Sequence, residues 1–227
     1  MASLTWHGHS TFSIVTAAGI KIVIDPFFDD NPRSDLKAAQ VEADFIVVSH
    51  GHADHFADCI PIARRTGATV ISTFEIASFC AAKGVEHTHG MNIGGGWQFD
   101  FGRLQLTAAI HSGTVAGDDT GTHTTICSGL LFDIDGTQVY HAGDTALTMD
   151  MQLLKGHVDV ALLPIGDNFT MGPRDAARAV EFIEPDVVVP MHYGTWPIIE
   201  QDPQEFVKMV GDRARVVVLE PGGQLEL

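Results

Sequence analysis

Seven residues carry the chemistry of this 227-residue chain, and four of them stand together in Ser49-His50-Gly51-His52-Ala53-Asp54-His55. Glycine and alanine at 51 and 53 separate His50, His52 and Asp54, so a loop can turn alternate imidazole and carboxylate groups toward one point, with His55 following at the start of a helix. Imidazole and carboxylate are ligands that divalent zinc, iron or manganese accept. One short loop can reach two adjacent ions but cannot complete both coordination shells, so further ligands must come from elsewhere. Three residues qualify, each just beyond an expected strand: His111 after Leu104 to Ile110, Asp144 after Gln138 to Tyr140, and His192 after Val187 to Pro190. A rigid sheet fixes such positions while the loop frees the side chain.

The elements that must hold these groups follow from hydrophobic period and turn residues. Leu4 to His7, Thr11 to Val15 and Lys21 to Ile24 read as a strand meander. Phe45 to Val48 is a continuous apolar strand, followed by helical spacing over Asp58 to Arg65, a strand at Thr69 to Ser72 and a helix over Glu75 to Lys83: a βαβα unit with buried strands. Strands return at Gln98 to Phe101, Leu104 to Ile110, Ile126 to Ile134 and Gln138 to Tyr140, with Asp135-Gly136 as a hairpin turn. The last third alternates strand Val158 to Leu163, helix Pro173 to Phe182, strand Val187 to Pro190, helix Pro203 to Val210 and strand Arg215 to Leu219, with Pro173 at a first helical position. No repeat, low-complexity tract or linker interrupts residues 1–227, so the expectation is one domain of two β-meander-plus-βα halves, two sheets sandwiched by helices.

Composition narrows the classes. With 45% hydrophobic and 19% charged residues the chain can bury a substantial core, which excludes a disordered tail or a disulfide-stapled miniprotein. Thirteen Lys and Arg against 29 Asp and Glu give a net charge of −16, a field that repels nucleic acid and anionic lipid. Cys59, Cys80 and Cys127 are odd in number and widely spaced, without a Cys-x-x-Cys pair, and read as buried free thiols. No apolar run reaches the ~20 residues of a membrane span and no signal segment opens the chain, so a cytoplasmic location is expected. A homo-oligomer is left open.

The motif His50-x-His52-x-Asp54-His55 resembles the signature of the metallo-β-lactamase-like hydrolase superfamily. Trp6-His7-Gly8-His9-Ser10, Ile24-Asp25-Pro26, His141-Ala142-Gly143-Asp144-Thr145 and Pro190-Met191-His192-Tyr193-Gly194-Thr195 are similar to a branch of uncharacterised metal-dependent hydrolases, near the ascorbate-phosphate lactonase group and further from the N-acyl phosphatidylethanolamine phospholipases. The resemblance spans residues 5 to about 207. It implies a four-layer αββα sandwich of the α/β class, a first metal held by His50, His52 and His111, a second by Asp54, His55 and His192, and Asp144 bridging them. Some antibiotic-degrading members place cysteine where Asp144 stands. A bridging carboxylate is a harder ligand, so manganese or iron is as plausible here as zinc, and β-lactamase activity is not expected.

Two divalent ions sharing a water bring its pKa from 15.7 toward neutrality. The expected activity is therefore hydrolysis, by metal-bound hydroxide, of a small ester, lactone or phosphodiester, with Asp54 either handing a proton to the leaving group or serving as ligand only. The alternatives are a nuclease on the same scaffold, which the charge of −16 opposes, and a metal- or metabolite-binding module without turnover. His9, Asp25 and His141 are candidates to orient ligating imidazoles, with ordinary turn or core roles competing. Phe169, Met171, Tyr193 and Trp196 lie on loops that reach the site and would either rim a pocket for an apolar substrate part or simply pack. His87, His89, His123 and His157 have no partner that the sequence names. The polar stretch 112–125 reads either as a lid or as a surface excursion.

Overall fold

A computed structural model describes residues 1–121 and 123–227. The first sheet is built from β1 (Ser3–Trp6), β2 (Phe12–Val15), β3 (Lys21–Ile24), β4 (Phe45–Val47), β5 (Thr69–Thr73) and β6 (Thr88–Met91). The second takes β7 (Gly96–Phe99), β8 (Gly102–Ala108), β9 (Ser128–Ile134), β10 (Thr137–His141), β11 (Val160–Pro164), β12 (Val187–Met191) and β13 (Arg215–Val216). The C-terminal β14 (Gln224–Glu226) returns to the first sheet beside β1. The orders are β14-β1-β2-β3-β4-β5-β6 and β13-β12-β11-β10-β9-β8-β7. In each sheet an antiparallel meander passes into a parallel half whose crossovers are helical, the order read from the sequence.

Alternation along the strands divides the apolar residues between layers. Leu4, Phe12, Ile22 and Ile24 of the first sheet share one buried core with Leu104, Leu130, Phe132 and Val139 of the second. Phe45 meets Phe101 edge to face at 4.9 Å, and Phe101 meets Phe132, so aromatic rings join the sheets. Val23, Ile46, Val48 and Val70 face the other way, against α1 (Ala53–Phe56), α2 (Cys59–Thr66) and α3 (Phe74–Ala82). The second sheet is backed by α4 (Pro173–Ile183) and α5 (Pro203–Val210), which bury Ala176, Val180, Ile183 and Phe206. The result is a mixed α/β sandwich of four layers, helix, sheet, sheet, helix. At about 25 cal/mol per Å² of apolar surface buried, such layers need no crosslink, and all three cysteines are free and buried.

Three elements differ from the sequence reading. β6 and β14 carry too few apolar residues to stand out and form because a neighbouring edge offers a ladder. Met149–Leu154 forms a 3₁₀ turn, started by Thr148, whose hydroxyl accepts the Asp150 N–H, while Met151 and Leu154 are buried. Pro173 does occupy the first turn of α4.

The topology fixes where the site can be. β1 and β3 run parallel to β4, and β8 runs parallel to β10 and β12. The loops leaving β1, β3 and β4 therefore share one edge of the first sheet, and those leaving β8, β10 and β12 share one edge of the second. These loops carry His9, Asp25, His50 to His55, His111, Asp144 and His192.

Candidate metal centre

Asp144 lies at the middle of the cluster. Its Oδ2 is 3.0 Å from His192 Nε2, 3.6 Å from His111 Nε2 and 4.0 Å from His50 Nε2, and its Oδ1 is 3.3 Å from His55 Nε2. On one side His52 Nδ1 stands 3.0 Å from His50 Nε2 and 3.3 Å from His111 Nε2, three ring nitrogens facing one point. On the other, Asp54 Oδ2 is 3.8 Å from His55 Nε2 and 3.9 Å from His192 Nε2. The structure thus brings together all seven groups singled out in the sequence.

The loops are held by backbone as much as by side chains. His9, Asp25 and His192 all adopt positive φ (55°, 46° and 55°), which non-glycine residues rarely do and which the surrounding contacts must maintain. The His9 carbonyl accepts from the Trp6 indole and the His192 backbone N–H, stitching the β1–β2 turn to the loop after β12. Gly51 packs flat on the loop after β8: a Cβ there would lie 2.5 Å from the Thr114 carbonyl oxygen. Gly143, at φ +62°, leaves similar room, since a Cβ would meet the Ser128 carbonyl oxygen at 2.6 Å.

Asp25 orients two of the imidazoles. Its Oδ1 accepts the Ser49 N–H at 2.7 Å, and its Oδ2 accepts the Ser49 hydroxyl at 2.6 Å and His55 Nδ1–H at 2.8 Å. Because the Ser49 hydroxyl is already donating to Asp25, it accepts from His50 Nδ1–H at 3.0 Å. With Nδ1–H so engaged, His50 keeps the Nε2 lone pair directed into the site, and His55 presents Nε2 there as the position from which a metal would displace a proton. Asp25 is fully buried, and so are His50, His55 and His9.

His9 packs against the His192 ring at 4.0 Å but hydrogen-bonds a carboxylate, not an imidazole. Burial and the neighbouring His192 lower its pKa to about 3, so the ring is neutral; Nε2–H donates to Asp54 Oδ2 at 3.1 Å and Nδ1 accepts from the Thr195 hydroxyl at 2.8 Å. His141 contacts no ligating group directly: Nε2–H donates to the Ser10 carbonyl and Nδ1 accepts the Gly143 N–H, which pins the loop leading to Asp144. Ser49 and Thr195 escaped the sequence reading. Ser49 had a local signal, since it immediately precedes His50, whereas Thr195 lies 186 positions from its partner.

The charge balance calls for a cation. Burial raises the pKa of Asp54, but His55 and the His9 hydrogen bond outweigh it and hold the carboxyl far below the usual range. Burial likewise opposes ionisation of Asp144, and His192 and His55 overcome it. Burial opposes a charge on His55, yet Asp144, Asp54 and Asp25 hold its pKa well above the ordinary value. Burial lowers His50, His52 and His111, keeping them neutral ligands. Among the described residues, His55 Nε2, His192 Nε2 and Asp144 Oδ1 are buried without hydrogen-bond partners, a costly state at about 1–3 kcal/mol per group unless something else binds them. Buried carboxylates and unpartnered imidazole nitrogens around common points fit divalent metal.

A cleft of about 310 Å³ opens over the cluster, lined by His52, Asp54, His111, Ser112 and Asp144 with Phe169 and Trp196 at its mouth. Met171 and Tyr193 do not reach it. Met171 is 1% exposed, its backbone N–H bonded to the Thr145 carbonyl, and Tyr193 stacks on Trp6 at 5.7 Å. Their rim roles give way to core packing, because the chain turns both side chains inward. Of the stretch 112–125, Thr122 lies outside the described residues; Val115 is buried and Ala116 N–H bonds the Gly51 carbonyl, so this segment packs on the loop that carries His50 to His55.

Comparison with known proteins places these observations. The family described as the beta-lactamase superfamily domain matches residues 3–192. A UPF0173 metal-dependent hydrolase of Heliobacterium modesticaldum is 49% identical over 236 aligned positions, covering 100% of this chain and 98% of that protein. One from Anoxybacillus flavithermus is 48% identical, covering 99% of each. The solved structure of Igni18, a metallo hydrolase from Ignicoccus hospitalis, superposes with a TM-score of 0.89 at 37% identity, covering 100% of this chain and 99% of that one. With its helix-sheet-sheet-helix layers and an imidazole-carboxylate cluster between the loops, the chain belongs to the β-lactamase superfamily domain family and is a metal-dependent hydrolase of the metallo-β-lactamase superfamily.

Proposed function

We propose that the chain is one hydrolase domain that binds two divalent ions and cleaves a small, uncharged ester or lactone. The observation that carries this reading is the pair of donor groups meeting at Asp144: His50, His52 and His111 on one side, and Asp54, His55 and His192 on the other. Zinc, manganese or iron all suit this set. When bound, the ion pair supplies hydroxide at neutral pH and polarises the substrate's carbonyl oxygen.

The chain's own residues do the rest. Asp54 is ionised at rest and sits at the cleft, so it would hold a cation and orient the attacking water by accepting its hydrogen bond; its strongly depressed basicity leaves the proton to pass to the departing oxygen through solvent. His9 donates to Asp54 Oδ2 and fixes which lone pair faces the substrate. Asp25, acting directly on His55 and through Ser49 on His50, fixes both Nδ1–H groups and so aims both Nε2 atoms into the site. Phe169, half exposed, and Trp196 offer apolar surface to the acyl or alkoxy part. No Lys or Arg lines the cleft among the described residues, which favours a neutral ester or lactone over a phosphodiester and, with the charge of −16, opposes a nuclease. Three buried free cysteines accord with a reducing, cytoplasmic setting, and no helix among the described residues is long and apolar enough to cross a membrane.

The test pairs elemental analysis with turnover. Protein reconstituted with zinc, manganese or iron is expected to hold two equivalents and to hydrolyse p-nitrophenyl acetate or γ-butyrolactone in preference to bis(p-nitrophenyl) phosphate. Asp144→Asn should lose at least one equivalent and most of the rate. One equivalent in the wild type, or a preference for the phosphodiester, would overturn the reading.

A further inference from the structure

The mouth of the metal cleft is bordered by apolar side chains that the fold leaves in water. Strands β11, β10, β9 and β8 are neighbours, so the loop leaving β11, the loop leaving β10 and the loop joining β8 to β9 gather at the sheet edge that carries His111 and Asp144. Each of these loops holds a large apolar residue that is at least half exposed: Phe169 in the first, Met149 in the second, Ile110 and Ile126 in the third. Single exposed apolar residues are ordinary, whereas several around one opening mark a surface that something apolar covers.

Thr145 ties these loops together. Its Oγ1 accepts the Ile110 N–H at 3.0 Å, its carbonyl accepts the Met171 N–H at 3.0 Å, and the Ala146 N–H donates to the Ile110 carbonyl at 3.0 Å. Ile110 immediately precedes His111 and Thr145 immediately follows Asp144, so the apolar surface begins at the candidate metal ligands themselves. Phe169 reaches the cleft mouth from a turn in which Asp167 and Asn168 are both left-handed, at φ 60° and 47°, closed by the Asp167 N–H on the Met171 carbonyl. Asp and Asn tolerate that region better than most residues, but two in succession hold this turn in one uncommon shape. The same loops lack cations: no Lys or Arg occurs between Arg103 and Lys155 or between Lys155 and Arg174, whereas Asp118, Asp119, Asp150 and Asp167 do. Asp150 accepts the Thr148 hydroxyl and Asp167 the Asn168 N–H, each within its own turn.

We propose that the acyl part of the substrate is an unbranched, uncharged hydrocarbon chain that leaves the cleft past Phe169 and lies over Ala146, Ile110 and Met149. Continuity with the cleft identifies the occupant, because a surface that starts at His111 and Asp144 is reached by the molecule reacting there. The acidic, cation-free loops exclude a chain that ends in a carboxylate. This proposal rests on the ester hydrolysis proposed above and names its acyl group. Each methylene half covered by such a surface strengthens binding about twofold.

The test compares p-nitrophenyl acetate, hexanoate and decanoate on metal-loaded protein, with 2-dodecanone as a probe that cannot be hydrolysed. From acetate to decanoate kcat/KM should rise at least about thirtyfold, the product of five such methylenes. The p-nitrophenyl half-ester of adipic acid, a hexanoate with a terminal carboxylate, should react at least about tenfold less well than hexanoate. Ile110→Ser and Met149→Ser, both at exposed positions, should each lower kcat/KM for decanoate about three- to tenfold and leave acetate within about twofold. Titration with 2-dodecanone should shift the Met149 methyl NMR resonance saturably. Turnover of acetate with no gain along the series, equal rates for hexanoate and the adipate half-ester, or full decanoate activity in both variants would overturn the acyl-chain proposal and leave the hydrolase standing. Failure to hydrolyse any of the esters would overturn both. A Met149 shift that follows protein concentration and not the ketone would mark the surface as an interface between copies and overturn the proposal as well.

Discussion

Replacing Asp25 by asparagine isolates the role of one fully buried carboxylate that does not line the cleft but hydrogen-bonds a proposed ligand, His55. Asp25 accepts three donors, the Ser49 N–H, the Ser49 hydroxyl and His55 Nδ1–H, at 2.6–2.8 Å. An asparagine keeps one acceptor oxygen. If that oxygen stays with the Ser49 N–H, the new NH₂ faces His55 Nδ1, which must become an acceptor and move its proton to Nε2, the nitrogen needed for metal. If the amide flips, the NH₂ opposes the Ser49 N–H and the loop that carries His50 must shift. Either arrangement disturbs the first coordination shell, and losses of this kind reduce metal affinity about 10- to 100-fold, about 1.4–2.7 kcal/mol. Competition against a fluorescent zinc chelator gives the affinity directly, and elemental analysis after dialysis gives the stoichiometry. The buried fold should survive, because asparagine matches the volume, with Tm lowered by a few degrees. Zinc affinity within twofold of wild type, with two ions retained, would refute the tautomer argument and leave Asp25 as a core residue.

Three further outcomes follow from the same geometry. Gly143→Ala places a Cβ 2.6 Å from the Ser128 carbonyl oxygen at φ +62°, which should cost about 1–3 kcal/mol and lower Tm by roughly 2–4 °C per kcal/mol; an unchanged Tm by calorimetry would show that the loop relaxes freely. Phe169→Ala removes half-exposed apolar surface at the cleft mouth, so KM for hexanoate esters should rise about three- to tenfold with kcat unchanged, while acetate esters should be little affected. In metal-free protein, His9 and His50 are depressed by burial below the ordinary value of 6.5, His9 to about 3. The unfolded chain binds those protons first, so the contribution of these two rings should be full above about pH 6.5 and decline as pH falls toward 3, whereas His55, raised above 6.5, contributes in the opposite sense and loses stability only as pH rises; a flat Tm between pH 7 and 5 would contradict neutral burial of His9 and His50.

The parts legible in the sequence are those in which neighbouring residues act together. His50 to His55 reveals itself because four ligand-capable residues fall within six positions, and His111, Asp144 and His192 follow because each ends a run of strand-forming residues. The succession of meander and then alternating strand and helix in each half was legible for the same reason: long apolar runs such as Val160–Pro164 declare a buried strand. What the sequence hides depends on inside and outside at a loop. Met171 and Tyr193 sit two and one residues from positions that do face the site, and a loop has no period to say which way they turn. Thr195 meets His9 across the seam between the two sheets, from a position 186 residues away in the chain.

The same distinction explains why this site tolerates so much strain. Positive φ at His9, Asp25 and His192 would each cost about 1–3 kcal/mol in a free loop. Here each is over-determined: His9 by Trp6, Thr195 and Asp54, Asp25 by Ser49 and His55, and His192 by the His9 carbonyl. Strained residues from opposite sheets thus hold one another, and the two sheet edges can be parted only by breaking several buried hydrogen bonds together. Metal bound between those edges would meet donors already positioned before it arrives, so binding it need not order the loops, and the affinity lost in Asp25→Asn should come from ligand orientation and not from loop disorder.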